Sequence, residues 1–392
     1  MRQSRKKWER RREVHRNKLA AVIFVIMMIA FCVVNLATGD REFSATENRA
    51  LEQRPELTIS GLESGRWMEQ YESYVSDQFA GRDFWVMLKS RVDLLAGKRK
   101  ANGVFKGKDH YLLEDIAKPD EDQMKENLSA MKKFQKQYKD IPMYMMLVPN
   151  AANIESDKLP GYAVTENQEK QFKAIHSTLG SAYTWVDVSD ILKKHRSEEI
   201  YYHTDHHWTT LGAYYGYQAL SKSMKLDTSK TSDMKPYAVT NAFNGTLAST
   251  SGYETGYEEP IYIYAPDNLK NATEAVVNNV NEKKKTATLY DTSKLKGKDK
   301  YALFLGGNYP ILDIKTTADS TDRLLIIKDS YANSLIPFLI PYYREIVVVD
   351  PRYYYDDIEK VMKKDNITSV LFLYNGNTFV KDNSISGVLQ ND

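Results

Sequence analysis

The chain has 392 residues, of which 42% are apolar and 27% charged, and its formal net charge is +2. Nine of the 54 Lys/Arg and two of the 52 Asp/Glu lie in the first 18 residues, which leaves 45 basic against 50 acidic residues in the rest. This mildly acidic remainder argues against a nucleic-acid partner, because nucleic-acid binding needs a basic face. Cys32 is the only cysteine, so the sequence excludes disulfide bonds within the chain. It also excludes metal sites with thiolate ligands in the residues that follow Cys32.

A segment without charge follows a basic tail at the N-terminus. The tail is residues 1–18, and the segment LAAVIFVIMMIAFCVVNLA is residues 19–37. An apolar run of about 20 residues matches the hydrocarbon thickness of a membrane. The Lys/Arg excess before it predicts a single-pass signal anchor in the cell membrane, with a cytoplasmic N-terminus and an extracellular remainder. A cleaved signal peptide is the alternative, but the run is long for one and no clear A-x-A site follows.

Residues 38–100 are predicted to form a linker and a helical stem. The linker, DREFSATENRALEQRPEL, is polar and predicted to be extended. Beyond it, apolar residues recur at helical steps on either side of Gly81. These residues are Met68, Tyr71, Val75 and Phe79, then Phe84, Leu88, Val92 and Leu95. The pattern favours two helices that pack as a stem or lid, and a surface for docking a partner is the alternative.

Strands and helices are predicted to alternate over residues 101–392. The segment VFKGKDHYLL indicates a hairpin that turns at residues 106–109. Three continuous apolar runs, RLLIIKDS, EIVVVD and SVLFLYN, are typical of strands buried on both faces. We therefore expect an α/β fold with a mostly parallel sheet and helices on both faces. Residues from about 223 to 301, rich in Tyr, Asn, Thr, Lys and Gly, are interpreted as an insertion with short strands beside a cleft.

The segment IIKDSYANSLIPFL places a serine at the end of a predicted strand. The strand ends in Asp329 and Ser330, and a helix is expected from about Tyr331 or Ala332. In open α/β sheets the ligand site lies outside the carboxyl ends of the strands. A serine at such a turn can act as a nucleophile, because its hydroxyl points out of the sheet and helix N-terminal amides can stabilise an oxyanion. A simple helix N-cap is the competing interpretation of Ser330.

The segment YYHTDHHWTT, residues 201–210, contains three of the seven histidines. In an extended backbone, Asp205 and His207 would share one face and His206 would point to the other. A carboxylate beside an imidazole in this way can orient a general base. Trp208 is expected to pack over the pair and to limit its contact with water.

A metal site is the alternative interpretation of the same segment. His203, Asp205, His206 and His207 are all possible ligands for zinc, iron or manganese. Adjacent histidines on an extended segment point apart, however, and the helix that follows begins too late to present His203 and His207 at helical spacing. The residues alone therefore leave both hypotheses open.

Five segments carry a resemblance to a known family: TDHHWTTLGAYYGY, with FSATENRALEQRPEL and YVSDQFAGRDFW upstream and FNGTLASTSG and IIKDSYANSLIPFL downstream. Together they resemble the DHHW protein family of Gram-positive bacteria. That family is similar to the SGNH-hydrolase-like proteins that O-acetylate alginate and other exopolysaccharides. The resemblance implies an SGNH-like α/β domain of permuted order, in which Asp-x-His precedes Ser.

The resemblance also implies a catalytic triad. Ser330 would carry the acyl group, His207 would take its proton and Asp205 would hold the imidazole. SGNH enzymes commonly have Gly-Asp-Ser at the nucleophile, whereas this chain has Lys-Asp-Ser at residues 328–330, so the glycine that permits close backbone approach is absent. The amide of Ser330 is the first choice of oxyanion donor. Further residues considered for oxyanion or substrate contacts are Gly307, Asn308, Asn333, Arg352 and Trp208.

In the alginate-type systems, a membrane-bound O-acyltransferase passes an acetyl group outward to an external SGNH-like protein. The resemblance therefore implies such an acyl donor as partner and a cell-surface or exported polysaccharide as substrate. No cofactor is expected, since the sequence has no Gly-rich phosphate loop after the early strands. Three functions stay open: an O-acetyltransferase or esterase with an acyl-serine, a catalytically silent carbohydrate-binding or scaffold protein, and a metallohydrolase.

Overall fold

The computed structural model describes residues 2–44, 49–268 and 272–390. Residues 45–48 of the predicted linker and 269–271 of the predicted insertion lie outside the described residues. The chain forms two compact units, Met1–Lys89 and Ser90–Asp392. The finer domain boundaries given above stay predictions.

The first unit consists mainly of helices. They are α1 (Arg2–Ala37), α2 (Ile59–Glu63), α3 (Arg66–Asp77) and α4 (Arg82–Leu95), which continues into the second unit, and a short antiparallel pair joins β1 (Phe43–Ser44) to β2 (Arg49–Ala50). The part of α1 from Arg12 to Ala37 is long and apolar enough to cross a membrane, and none of its side chains is buried. This helix agrees with the predicted single-pass anchor, and α3 and α4 are the two predicted stem helices.

The second unit is built on an eight-stranded sheet. Its strands, in spatial order, are β11 (Lys284–Thr286), β10 (Ala275–Asn279), β12 (Ile311–Thr316), β14 (Glu345–Val349), β13 (Arg323–Lys328), β15 (Ser369–Asn375), β6 (Met143–Val148) and β7 (Thr184–Trp185). The five strands from β14 to β7 are parallel, and the other three pair antiparallel. The three apolar runs form the central strands β13, β14 and β15. The predicted mostly parallel α/β fold is confirmed.

Helices cover both faces of this sheet. One face packs against α5 (Glu121–Gln137), α7 (Gln168–Leu179), α11 (Ile358–Lys364), α12 (Gly376–Lys381) and α13 (Ile385–Gln390), and the other against α6 (Ala151–Ile154), α8 (Ser189–Lys194) and α9 (Thr210–Met224). In β13, Leu325 and Ile327 pack into the core on the first of these faces, whereas Leu324 and Ile326 pack into the core on the second. Burial of each such side chain contributes about 1.5–3 kcal/mol. Continuous apolar runs are therefore what these strands require.

Two smaller sheets complete the second unit. β3 (Lys100–Ala101), β4 (Val104–Lys106) and β5 (Leu112–Glu114) form an antiparallel sheet, in which β4 and β5 are the predicted hairpin. The predicted insertion contributes a second antiparallel pair, β8 (Met234–Phe243) and β9 (Glu259–Pro266), with α10 (Thr246–Ser251) between them. Its later strands, β10 and β11, instead extend the main sheet.

The expectation of a helix directly after Ser330 was wrong. The chain there forms two 3-10 turns, Ser330–Ser334 and Ile336–Leu339, before it returns to β14. The carboxylate of Asp329 accepts the N–H of Tyr331 at 2.9 Å and so tightens the first turn. Pro337, at the start of the second turn, has no N–H to donate, so the two turns cannot join into one continuous α-helix. Ser330 consequently stands at a tight turn at the carboxyl end of β13.

Candidate active site

Ser330, His207 and Asp205 meet at the carboxyl end of β13. His207 Nε2 lies 2.7 Å from Ser330 Oγ, and His207 Nδ1 lies 2.5 Å from Asp205 Oδ1. Asp205 and His207 are buried, whereas Ser330 is half-buried. A series of hydrogen bonds in this order can transfer a proton from the serine hydroxyl to the imidazole.

Asp205 is surrounded by hydrogen-bond donors. Its Oδ1 accepts the backbone N–H of His207 at 3.0 Å in addition to the ring contact. Its Oδ2 accepts the N–H of Thr246 at 2.7 Å and the hydroxyl of Thr246 at 2.9 Å. Burial by itself would raise the pKa of Asp205, but attraction to His207 and His206 outweighs burial and lowers that pKa well below its usual range. The carboxylate is therefore held ionised against the ring of His207.

The predicted insertion positions Asp205 through a glycine. A Cβ on Gly245 would lie 2.3 Å from Cβ and 2.5 Å from Oδ2 of Asp205, so only glycine allows this approach. The N–H of Gly245 donates to Thr204 Oγ1 at 2.9 Å. On the other side, Glu259 accepts the N–H groups of His203 and Thr204 at 2.8 and 2.9 Å. Our sequence analysis assigned no role to Gly245 or Glu259, although the FNGTLASTSG segment was a signal for the first.

His206 does not point away from the pair, and that expectation was wrong. Its ring centroid lies 3.9 Å from that of His207, because residues 203–207 form consecutive bends rather than an extended strand. Its Nδ1 lies 2.9 Å from Thr246 Oγ1. Since the single hydroxyl hydrogen of Thr246 goes to Asp205, the Nδ1–H of His206 must be the donor in this contact. Burial and the neighbouring charge of His207 lower the pKa of His206, which favours its neutral form.

Tyr301 lies over the His207 ring, in the place expected for Trp208. The two rings are 3.7 Å apart and nearly parallel, at 10°. Trp208 is fully buried, and its Nε1 donates to Ser334 Oγ at 3.1 Å, inside the turn that begins at Ser330. A Cβ on Gly216 would lie 2.6 Å from the Trp208 ring, so the second glycine of the LGAYYG segment makes room for it. Trp208 thus packs inside the turn Ser330–Ser334 and stabilises it.

A second buried polar cluster lies on the same strand end. Lys328 Nζ donates to Asn308 Oδ1 at 2.8 Å and lies 3.3 Å from Asp350 Oδ2. Arg352 makes two further bonds to Asp350, at 2.8 and 2.6 Å, so this predicted substrate contact is engaged in an ion pair. Burial lowers the pKa of Lys328. Burial would raise the pKa of Asp350, but the two cations outweigh it and lower that pKa. Both cations of the cluster thus share one carboxylate, Asp350.

This cluster orients the Asn308 side chain. Its Oδ1 faces the lysine ammonium, which can only donate, and also accepts Asn333 Nδ2 at 3.1 Å. The Nδ2 of Asn308 is thereby left free to donate at an exposed position. The N–H of Gly307 already donates to Phe304 O at 3.2 Å. Within the part of the chain that the structure describes, the N–H groups of Ser330 and Asn308 contact no protein acceptor.

Asp205, His206 and His207 also present ligand atoms within 4.8 Å of one another, as a metal site would require. The fourth predicted ligand, His203, is directed to Glu259, with its Nδ1 3.3 Å from the carboxylate. Each oxygen of Asp205 already accepts two hydrogen bonds, which a metal ion would have to displace. The hydrogen bonds around Asp205 therefore fit a proton relay better than a metal centre.

Comparisons with known proteins agree with this fold. The model of the family described as DHHW protein matches residues 109–349. A DHHW family protein from Eubacterium siraeum is 24% identical with a TM-score of 0.61, over 75% of this chain and 96% of that one. Bacillus cereus PatB1 is 21% identical with a TM-score of 0.60, over 73% and 99%. PatB1 with a sulfonyl adduct gives 22% and 0.59, over 73% and 97%.

A search of curated proteins finds no match. The solved structures, all under 25% identical, show that the chain shares their fold. The family model covers more than half of the chain, and the predicted resemblance is confirmed: the chain belongs to the DHHW protein family.

Proposed function

We propose that this protein is a membrane-anchored serine O-acetyltransferase or esterase that modifies a cell-surface or exported polysaccharide through an acyl-serine intermediate. The observation that carries the proposal is the series of contacts Asp205–His207–Ser330, at 2.5 and 2.7 Å. Membership of the DHHW family and its similarity to SGNH-like acetyl-transfer proteins support the acyl chemistry. The apolar part of α1 supports a single-pass anchor with a cytoplasmic N-terminus and an extracellular catalytic unit.

The first half-reaction loads the serine. Ser330 Oγ attacks the carbonyl carbon of the acyl donor while His207 Nε2 accepts the hydroxyl proton. Asp205 keeps the imidazole hydrogen on Nδ1 and stabilises the imidazolium that forms. The bond from the acyl carbon to the leaving group then breaks, and the leaving group takes the proton from His207. Ser330 carries the acetyl ester.

The second half-reaction unloads it. A sugar hydroxyl gives its proton to His207, and its oxygen attacks the ester carbon. The bond to Ser330 Oγ breaks, Ser330 regains the proton from His207, and the acetylated sugar leaves. Attack by water in place of the sugar yields acetate, so transferase and esterase share every step up to the acyl-serine.

Two donors fit the oxyanion of both half-reactions. One is the N–H of Ser330, and the other is Nδ2 of Asn308, which Lys328 and Asn333 orient through Oδ1. A donor that is fixed in place before the reaction stabilises developing charge without reorganisation, and loss of one such donor costs about 10²–10³-fold in kcat. Lys328 is a positioning residue in this scheme, since it acts through Asn308.

The acyl donor in this proposal is a membrane-bound O-acyltransferase that delivers acetyl groups from the cytoplasmic side, so the chain itself needs no cofactor. An anchored catalytic unit suits such a partner, because the acyl group then has a short distance to travel. The alternative, a catalytically silent carbohydrate-binding or scaffold protein, predicts an unreactive Ser330.

Intact-mass spectrometry after treatment with a sulfonyl fluoride tests the proposal, and the PatB1 structure with a sulfonyl adduct makes this reagent a natural choice. We expect a single adduct on the full chain and none on Ser330→Ala. Ser181→Ala, which changes an exposed serine, is the matched control and should be labelled like wild type.

An adduct that persists in Ser330→Ala would exclude Ser330 as the nucleophile. No adduct on any variant, with wild-type fold by circular dichroism, would favour the silent scaffold. Metal in stoichiometric amount on the purified chain, together with loss of activity on chelation, would support the metallohydrolase instead.

A further inference from the structure

The stem helices of the first unit expose an apolar face. In α3, Met68, Tyr71 and Val75 lie at steps of three and four, and 60%, 37% and 44% of their surfaces are exposed. In α4, Phe84 and Leu88 continue the pattern. Polar residues occupy the opposite side of α3. Helices of a water-soluble unit normally bury such a face, so its exposure calls for an apolar partner.

The turn between α3 and α4 packs on the last turns of α1. The Phe31 ring lies 6.4 Å from Phe79 and 5.9 Å from Trp85. The N–H of Ala80 donates to Asn35 Oδ1 at 2.8 Å, and Asn35 Nδ2 donates to Phe31 O at 2.8 Å. The polar Asn35 of the apolar segment is thereby satisfied at both ends of its amide, as a residue in lipid must be. These contacts fix the turn to one level of the helix.

That level corresponds to the boundary between lipid headgroups and acyl chains. Phe31 precedes the end of α1 at Ala37 by six residues and Asn35 precedes it by two. At about 1.5 Å per residue, the contacts lie roughly 9 and 3 Å inside the end of the apolar segment. Interfacial amphipathic helices bury their apolar face about 5–10 Å into the same boundary. The depth set by α1 and the depth that the exposed face needs therefore agree.

We propose that α3 and the first half of α4 form an interfacial segment whose apolar face is embedded in the outer lipid leaflet beside α1. This inference rests on the proposed anchoring of the chain by α1. Lipid is the occupant that the contacts favour, because Phe31 and Asn35 hold the turn that joins the two helices at the level of the membrane boundary. Trp85 beside Phe31 has the amphipathic ring that is enriched at that level.

Site-directed spin labelling of the full chain in lipid nanodiscs tests this. Cys32→Ser removes the only cysteine, and single cysteines then replace Val75 and Leu88 on the apolar face. Ser73→Cys, on the polar side of the same helix, is the matched control, and Val25→Cys in α1 reports the anchor. We expect labels at 75, 88 and 25 to collide more with oxygen than with a water-soluble nickel chelate, and the label at 73 to show the reverse.

Each other result overturns the inference in a distinguishable way. If the labels at 75 and 88 are as accessible to the nickel chelate as the label at 73, while the label at 25 lies in lipid, the anchor is intact and the interfacial segment is excluded. Labels shielded from both reagents would show that a second copy of the chain covers the face. A water-exposed label at 25 would overturn the anchoring itself.

Discussion

Asp205 and Glu155 are both carboxyl groups with 1% of their surface exposed, and they differ in what surrounds them. Asp205 accepts four hydrogen bonds, and its pKa is lowered despite its burial. Glu155 has one donor nearby, the hydroxyl of Tyr111, and both of its side-chain oxygens are buried without a well-formed hydrogen bond among the described residues. Burial raises the pKa of Glu155 to about 8. The same depth thus leaves one carboxyl ionised and the other protonated at neutral pH.

The difference shows that depth alone does not decide the charge of these two carboxyls: Asp205 lies against two imidazoles and accepts four hydrogen bonds, whereas burial dominates at Glu155. Desolvation acts on both groups in the same direction. At Asp205 the donors come from two distant segments, the DHHW segment and the start of α10, and they have a use: an ionised Asp205 can hold His207. The following changes remove donors or charges one at a time.

Asp205→Asn is the largest change to this arrangement. Both oxygens of Asp205 face donors only, so an amide must turn its NH₂ toward the ring of His207 or toward Thr246. In either orientation a donor meets a donor. With the NH₂ toward His207, the tautomer that can accept the Ser330 proton is no longer favoured; with the NH₂ toward Thr246, the ring keeps its acceptor but loses the negative charge that stabilises the imidazolium. By analogy with other Ser-His-Asp sites, we expect kcat for hydrolysis of p-nitrophenyl acetate to fall by about 10³–10⁴-fold.

A matched control for this change is Asp382→Asn. Asp382 is also buried, but its Oδ2 has no hydrogen-bond partner among the described residues and its Oδ1 accepts the donors of the following turn. An amide NH₂ fits at Oδ2, so kcat should equal that of wild type. Near-wild-type kcat in Asp205→Asn would contradict the proposed role of the carboxylate.

Gly245→Ala displaces Asp205 without changing its charge. The new Cβ would lie 2.3 Å from the Cβ of Asp205, so the carboxylate has to move relative to His207. A displacement of about 1 Å at a catalytic group can cost 10²-fold, and we expect kcat to fall by about that factor. Gly161→Ala is the control, since a Cβ there meets no atom within 4 Å. Equal kcat for the two variants would show that the close approach of Gly245 has no part in the reaction.

Thr246→Val removes one donor to Asp205 and the acceptor of His206. The N–H of residue 246 remains, so the loss is one hydrogen bond to a charged group, roughly 1.5–3 kcal/mol in the free energy of unfolding. The lowered pKa of Asp205 stabilises the fold above its unfolded pKa, near 3.9, and this contribution is lost as the pH falls through the folded-state pKa. Urea unfolding should therefore separate variant and wild type by about the same amount at pH 7 and near pH 4, because the carboxylate stays ionised in the folded state of both, and the difference should shrink only as the pH falls through the folded-state pKa. A difference that grows toward pH 3 would contradict this sign.

The sequence predicted the parts of the site that depend on local pattern. Continuous apolar runs located β13, β14 and β15, and the end of one of them located Ser330. The pair Asp205 and His207 followed from residue types two positions apart, although the backbone there bends and does not alternate as a strand would. Their contact with Ser330 depended on the family resemblance, because no local pattern links positions so far apart in the chain.

The donors around Asp205 could not be predicted in the same way. Gly245 and Thr246 lie in an insertion about 40 residues further on, and Tyr301 lies at its end. Their roles arise from how β8, α10 and β9 fold back on the DHHW segment, and neither periodicity nor composition records that packing. The position of His206 was missed for a related reason, since its partner is the same Thr246.

Glu155→Gln is the smallest change, and it tests the other half of the comparison. A carboxyl whose pKa is raised on folding costs nothing below its unfolded pKa, near 4.3, and destabilises the fold increasingly as the pH rises to about 8. Glutamine cannot ionise. The variant should therefore match wild type near pH 4 and exceed it at pH 8 by roughly 1–3 kcal/mol in the free energy of unfolding, the cost of an uncompensated buried group.

Glu126→Gln, on the exposed side of α5, should leave the pH dependence unchanged. If Glu155→Gln is equally stable relative to wild type at both pH values, the hydroxyl of Tyr111 compensates the charge of Glu155, and the two carboxyls do not differ as proposed. Hydrolysis of p-nitrophenyl acetate should be unaffected, because Glu155 contacts none of the three residues proposed to move the proton.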